Sequence, residues 1–273
     1  MDARGAIEIM GVVNVTPDSF SDGGQFGSTQ AAVDHALRLV EEGADIIDIG
    51  GESTRPGAAP VSVDEELSRV IPIIEGIVAK VAARVSIDTR KSIVARQAIA
   101  TGASIWNDVS ALGFNEDSIE TAAALGCNVV LMHAQGDPRT MQDDPHYEDV
   151  VAEVIAYLAG RIELCVAAGV EQQHIIVDPG IGFGKTLAHN LSLLQGLDRL
   201  RGLGAPVLLG ASRKRFIAAL DRDGPAAERL GGSIAAVLAG YARDVRMFRV
   251  HDVAATRQAL KIAEAIEMAG SGR

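Results

Sequence analysis

The sequence predicts an α/β fold of the (β/α)8 TIM barrel type, a single domain spanning residues 1–273, on three observations. Short β-type runs alternate with longer stretches of helical periodicity eight times, with no linker, low-complexity segment or composition break. Several runs are continuously apolar rather than alternating, as strands buried on both faces of a parallel sheet must be. Polar residues recur where the runs end, and a barrel builds its site from the carboxyl ends of its strands.

Each element follows in order. IEIMGVVN at 7–14 precedes a Gly- and Ser-rich loop and a helical pattern over 30–42 that stops at Gly43. DIIDI at 45–49 leads through a second long loop to an amphipathic stretch over 63–82. RVSID at 84–88 and SIWN at 104–107 lead to helices over 92–100 and 115–124, stopped by Gly102 and Gly126. NVVLMH at 128–133 precedes a helix over 147–168, which Gly169 closes, and IIVD at 175–178 precedes one over 190–200. VLL at 207–209, a helix over 226–241, MFRV at 247–250 and a helix over 254–268 complete the series. The runner-up, a doubly wound open sheet, lacks its usual support, because no GxGxxG follows the first run.

Length and composition agree with one large domain: 273 residues, 48% hydrophobic, with a mean hydropathy of +0.18. Aromatics are 4%, so aliphatic side chains must fill the core. The net charge is 25 − 36 = −11 with pI near 5.0, which argues against a nucleic-acid binder or an anionic-membrane binder. No apolar run is long enough to span a bilayer, and the first residues lack the pattern of a secretory signal. Cys127 and Cys165 show no ligand spacing and are expected to be buried free thiols, so a cytoplasmic location is expected. The six histidines contain no HExxH, which argues against zinc.

Asn14, Asp48, Asp88, Asn107, His133, Asp178 and His251 all fall at or just beyond predicted strand ends. Any one of them alone reads as a cap for the next helix. Seven converging on one mouth point to a site. Two loops join them. The loop at 14–24 carries Phe20 and Asp22, and reads either as a surface turn or as a lid that orders over substrate. The loop at 50–57 carries Ser53, Thr54, Arg55 and Pro56, one cation with two hydroxyls.

These loops, with VDPGIGFGK at 177–185, GASRK at 210–214, RVHDV at 249–253, SIDT at 86–89 and NDVS at 107–110, resemble the dihydropteroate synthases over nearly the whole chain. The resemblance implies condensation of 6-hydroxymethyl-7,8-dihydropterin diphosphate with p-aminobenzoate, giving 7,8-dihydropteroate and diphosphate. It implies that Asp178 accepts paired hydrogen bonds from the pterin edge, that Asp88 and Asn107 bind the remaining ring nitrogens, and that Lys214 covers the carbonyl side. Val109, Met132, Phe183 and Gly210 would wall the ring. Asn14, Arg55, Arg249 and His251 would hold the diphosphate, with Mg2+ bridging Asn14 and phosphate oxygens. Phe20, Thr54, Pro56, Ser212 and Lys214 would frame p-aminobenzoate, its carboxylate meeting the N–H groups that begin the helix after Ser212. Asp22 would steady a pterin cation formed by departure of diphosphate before the amine attacks, so Asp22, Lys214, Arg249 and His251 form the catalytic set.

The resemblance also implies competitive inhibition by sulfonamides and a homodimer, with no nucleic-acid or membrane partner. Arg215 departs from the family's usual Ser and leaves the carboxylate end of the amine site open. Two alternatives stay open at this point. A methyltetrahydrofolate–corrinoid methyltransferase shares the Asp/Asn box, and a noncatalytic pterin-binding paralogue would keep the barrel.

Overall fold

A computed structural model describes residues 5–15, 24–53, 59–136 and 140–271. Its strands are β1 (Glu8–Asn14), β2 (Ile46–Gly50), β3 (Arg84–Asp88), β4 (Ile105–Asp108), β5 (Asn128–Met132), β6 (Ile175–Asp178), β7 (Leu208–Leu209) and β8 (Met247–Val250). The helices are α1 (Gly24–Glu41), α2 (Val63–Val78), α3 (Ser92–Thr101), α4 (Ser118–Leu125), α5 (Val150–Ala167), α6 (Leu187–Gln195), α7 (Arg215–Leu220), α8 (Leu230–Tyr241) and α9 (Val253–Ser271).

The strands pair in parallel in the order β6-β5-β4-β3-β2-β1-β8-β7. The two outer strands meet through a parallel bridge between Val177 and Val207, where the Val177 N–H donates to the Pro206 carbonyl at 2.9 Å. That bridge brings the ring to closure, and the barrel fold is the one the alternation predicts.

Side chains alternate between the two faces of each strand, so the barrel has two separate cores. The outer one packs wall residues such as Ile47, Ile87, Trp106, Leu131, Val177 and Phe248 against the helices. The inner one is a plug of Met10, Ile46, Ile105, Val130, Ile176, Leu208 and Met247. Moving two residues toward the carboxyl end from each plug residue reaches Val12, Asp48, Asn107, Met132, Asp178, Gly210 and Arg249. The polar layer is therefore the next inward layer above an apolar floor.

Local chemistry explains the helix boundaries. α2 starts where the Ser62 hydroxyl accepts from the Glu65 N–H at 3.2 Å, and three acids in its first turn suit the helix dipole. It ends at Val78, short of the predicted 82, because Ala79 to Val81 make the turn into β3. α5 starts three residues later than predicted because Asp149 caps it, accepting from Val151 and Ala152 N–H groups at 3.0 Å. The predicted 190–200 helix begins earlier, at a reciprocal cap between Thr186 and His189, and breaks at Gly196 into a 3-10 segment, Leu197–Leu203. α7, six residues long, is too short to show periodicity, and it stands where the resemblance implies a helix after Ser212. Gly43, Gly102, Gly126 and Gly169 all have positive φ, as their places after helices predict.

Trp106 is fully buried on the outer face of β4, and its indole N–H donates to the Thr89 carbonyl at 2.7 Å. Trp106→Ala should lower stability by about 3–5 kcal/mol, read from urea unfolding, since it opens a large cavity and strands a carbonyl. A loss below about 1 kcal/mol would show that the wall repacks around the gap.

Candidate functional site

Four strands deliver an ion-paired frame into the barrel mouth. Arg249, from β8, donates through Nε to Asp48 Oδ2 at 2.6 Å and through Nη2 to Asp88 Oδ2 at 2.7 Å. Asp48 is fully buried on β2 and also accepts from Asn107 Nδ2 of β4 at 3.2 Å. Burial works against the Arg249 charge, but the flanking carboxylates of Asp48 and Asp88 outweigh it and raise its pKa. Asp88 is pushed up to about 7 by burial; Arg249 opposes the shift, and Asp48, Glu66 and Asp108 add to it. The frame thus keeps Arg249 cationic and holds the Asp88 carboxylate against it.

Asp178 lies across the mouth at the end of β6, 5% exposed, and accepts from the Gly180 N–H at 2.7 Å. Burial raises its pKa against the pull of Gly180, Lys214, Arg249 and Lys185. Gly210 leaves room here, since a Cβ on it would stand 3.5 Å from Asp178 Oδ2. Lys214 places its ammonium 4.1 Å from the centre of the Phe183 ring. Burial and Arg249 push Lys214 down to about 8, while Asp178 and Asp88 oppose. Met132 is buried at the end of β5, and Val109 is half-buried just past β4.

The rim past β7 and β8 joins Ser212 to His251. The Ser212 hydroxyl accepts from the His251 N–H at 3.2 Å and lies 3.1 Å from His251 Nδ1. Burial, then Arg249 and Arg213, push His251 down to about 3, against Asp252. Its imidazole is therefore neutral near pH 7 and offers hydrogen bonds rather than charge. Asp252 is engaged by Arg213, at 3.0 and 2.5 Å. Arg215 is exposed at the start of α7.

Asp88, Asn107, Asp178, Gly210, Phe183, Lys214, Arg249, Ser212 and His251 thus gather at one mouth. Asn14 joins them at the end of β1: a Cβ on Gly50 would lie 3.7 Å from both Asn14 Oδ1 and Asp88 Oδ2. Phe20, Asp22, Thr54, Arg55 and Pro56 lie outside the described residues. Among the described residues, no group of three or more His, Cys, Asp or Glu side chains could cage a metal. Asn14 Oδ1 is a single oxygen donor that would suit a hard cation held mainly by phosphate and water.

Sequence reasoning left three groups without a role. Asp48 shares the inward parity of Asp88, which was its available signal, yet a strand-end Asp reads first as a cap. Lys185, 3% exposed, approaches His133 beneath the 178–185 turn. Glu52, Lys91 and Glu66 form a buried network at the stem of the second loop. Lys91 Nζ lies 2.5 Å from both Glu52 Oε2 and Glu66 Oε2, and Arg90 reaches Glu52 Oε1 at 3.0 Å. Val61 N–H also donates to Glu52 Oε1 at 3.4 Å, so one carboxylate ties residues on both sides of the 54–58 segment. Burial pushes Glu52 up, but Lys91 and Arg90 prevail and its pKa is lowered.

Lys91→Met would leave two facing carboxylates without their shared cation. It should cost about 3–5 kcal/mol of stability in urea, and Lys91→Met combined with Glu66→Gln should recover part of that loss. A neutral Lys91→Met would show that solvent already screens the network.

The chain resembles known proteins along nearly its whole length. The family described as pterin binding enzyme matches residues 10–251. A dihydropteroate synthase of Escherichia coli K12 is 48% identical over 257 residues, covering 94% of this chain and 90% of that protein. Among solved structures, the Xanthomonas albilineans dihydropteroate synthase with 4-aminobenzoic acid superposes with a TM-score of 0.91 at 50% identity, covering 97% of this chain and 94% of the other. The Yersinia pestis dihydropteroate synthase in a sulfonamide drug complex gives 0.92 at 42% identity, covering 98% and 96%. A polar barrel mouth with a buried carboxylate facing two cations, matched along nearly its full length by these relatives, leads to one conclusion: the chain belongs to the pterin-binding enzymes and, among them, to the dihydropteroate synthase family.

Proposed function

We propose that residues 1–273 act as one pterin-binding domain, a transferase of folate biosynthesis that joins 6-hydroxymethyl-7,8-dihydropterin diphosphate to p-aminobenzoate. The observation that carries the reading is Asp178, a buried carboxylate at a strand end with Asn107, Lys214 and Arg249 around the same mouth. Its two oxygens suit the amino and ring N–H groups on one edge of a pterin. Asn107 supplies both donor and acceptor, Asp88 accepts, and Phe183, Val109 and Met132 supply apolar contact. Lys214, drawn over Phe183, covers the carbonyl side of the ring.

The diphosphate falls to Arg249, His251 and Asn14, with Arg55 from the second loop. Arg249 supplies charge and His251 supplies a neutral ring, in keeping with its depressed pKa. The donor set at Asn14 is compatible with Mg2+, which when bound would neutralise phosphate charge. In the reaction the pterin methylene C–O bond breaks and its electron pair leaves with the diphosphate. The amine lone pair then forms the C–N bond, and the nitrogen gives up one proton. An aryl amine is neutral at pH 7, so the chain need only stabilise separated charge and exclude water. Asp22 would face the cation, while Phe20, Thr54, Pro56 and Ser212 would hold the amine.

Sulfonamides are aryl amines of the same shape and would compete with p-aminobenzoate at this subsite; that a Yersinia pestis dihydropteroate synthase forms a sulfonamide drug complex supports sulfonamides as ligands. A cytoplasmic homodimer completes the proposal. Two buried free thiols suit a reducing compartment, and the exposed Ile262, Ile266 and Met268 of α9 suit a partner surface.

Asp178→Asn tests the reading. It keeps the shape but replaces one acceptor oxygen with a donor, so calorimetry with the pterin diphosphate should show at least about a hundredfold loss of affinity. Formation of 7,8-dihydropteroate from the two substrates should fall with it. Affinity within about threefold of the unaltered chain would reject Asp178 as the pterin carboxylate.

A further inference from the structure

Lys185 is buried, yet among the described residues none of its direct partners carries a charge. Its ammonium donates to the His133 carbonyl at 3.3 Å and the Phe183 carbonyl at 2.9 Å, and lies 3.0 Å from His133 Nδ1. An ammonium among neutral acceptors needs a counter-charge to persist in a dry interior. Asp178, at the other end of the same turn, is placed to supply it: its Oδ1 accepts from the Gly180 N–H at 2.7 Å, and a Cβ on that same Gly180 would stand 3.4 Å from Lys185 Nζ.

The turn between them has no freedom to separate the two. Gly180 has φ +67°, and a Cβ there would stand 1.9 Å from the His133 carbonyl oxygen. Gly184 has φ +61°, and a Cβ there would stand 2.4 Å from the Gln135 carbonyl oxygen. The 178–185 segment therefore lies flush on the chain leaving β5, and only glycine permits that approach. Lys185 reaches back beneath it to His133, while Tyr147 closes the far side by donating its hydroxyl to the Gly184 carbonyl at 2.9 Å. The His133 ring is held edge-on to Tyr157 at 4.9 Å.

We propose that Lys185 is a positioning residue for Asp178: its ammonium, fixed by His133 and Phe183, supplies the buried counter-charge to the ligand-facing carboxylate and holds its turn in place. This rests on Asp178 being the pterin carboxylate. Lys185 touches no substrate in this reading, and it acts through Asp178 alone. Asp178 faces Lys185 from its own turn, Lys214 from the start of α7 and Arg249 from β8. Lys185 faces Asp178, Lys214 and the His133 ring, with His189 and Glu153 beyond Tyr147. Burial pushes Lys185 down to about 7, with Asp178 holding it up and Lys214 lowering it further. Burial likewise raises Asp178 against the pull of its cations. His133, which burial and Lys185 depress to about 3, remains a neutral partner through the working range.

The sign follows. Removing Lys185 deletes one cation that opposes protonation of Asp178, so the Asp178 pKa rises further. Pterin binding should then fail at a higher pH on the acid side, and the defect should shrink as the medium becomes alkaline.

The test is calorimetric binding of 6-hydroxymethylpterin, which has no phosphate to titrate, across the range from about pH 5 to 8. Lys185→Met should move the acid limb of affinity upward by about one pH unit, which is about tenfold weaker binding on the limb. His133→Gln removes only the ring acceptor and should move the limb the same way by less, which keeps the test open should Lys185→Met not fold. An equal loss at every pH would make Lys185 a structural residue only and overturn the proposal, as would an unmoved limb in the folded variants. Undiminished pterin binding by Asp178→Asn would instead locate the failure in the pterin reading itself.

Discussion

The mouth of this barrel is organised by one guanidinium between two carboxylates. Arg249 joins β8 to β2 and β3 through Asp48 and Asp88, across sequence separations of 201 and 161 residues. Three charges taken out of water in one place are costly unless each meets its partners, and a lone buried carboxylate there would not remain charged. The frame meets that condition by setting the guanidinium of Arg249 against both carboxylates. Asn107 hangs from Asp48, and Lys214 responds electrostatically to both Asp88 and Arg249. Displacing Arg249 would therefore disturb groups on four strands and one helix start.

A pocket that takes a flat heterocycle and a highly charged leaving group needs two chemistries a few ångströms apart. The strand parity supplies them in stacked layers. The apolar plug excludes water from below, and the next inward positions carry the carboxylates, the amide and the guanidinium. At the rim the chemistry changes again. His251 is neutral and shares the Ser212 hydroxyl, while Arg213 is committed to Asp252. Among the described residues of the mouth, Arg213 and Arg249 are paired with carboxylates, Lys185 is held by neutral acceptors, and Lys214 lies over an aromatic face.

Much of this was legible in the sequence. Alternation of apolar runs and helical stretches identified the barrel, because parallel strands buried on both faces leave few other patterns. The polar strand ends identified the mouth, and the family motifs assigned Asp88, Asn107, Asp178, Lys214 and Arg249 to it. The partners of those residues were not legible. Nearness in sequence would pair Arg249 with Asp252, whereas closure of the ring places it against Asp48 and Asp88. Lys185 lay within a quoted motif, but its role depends on a turn pressed against the exit of β5, which no local pattern encodes. α7 was legible only through the family motif, because six residues cannot display a helical period. Phe20, Asp22, Thr54, Arg55 and Pro56 lie outside the described residues.

The claim that Arg249 and Asp48 act as one unit is open to a direct measurement. A double-mutant cycle of Asp48→Asn and Arg249→Met, read by urea unfolding at neutral pH, isolates the energy that the two share. The frame described here predicts a coupling of about 1.5–3 kcal/mol, with the double variant more stable than the sum of the single losses implies. Losses that add to within about 0.5 kcal/mol would contradict it, and would mean that the barrel mouth is held by its walls rather than by this ion pair.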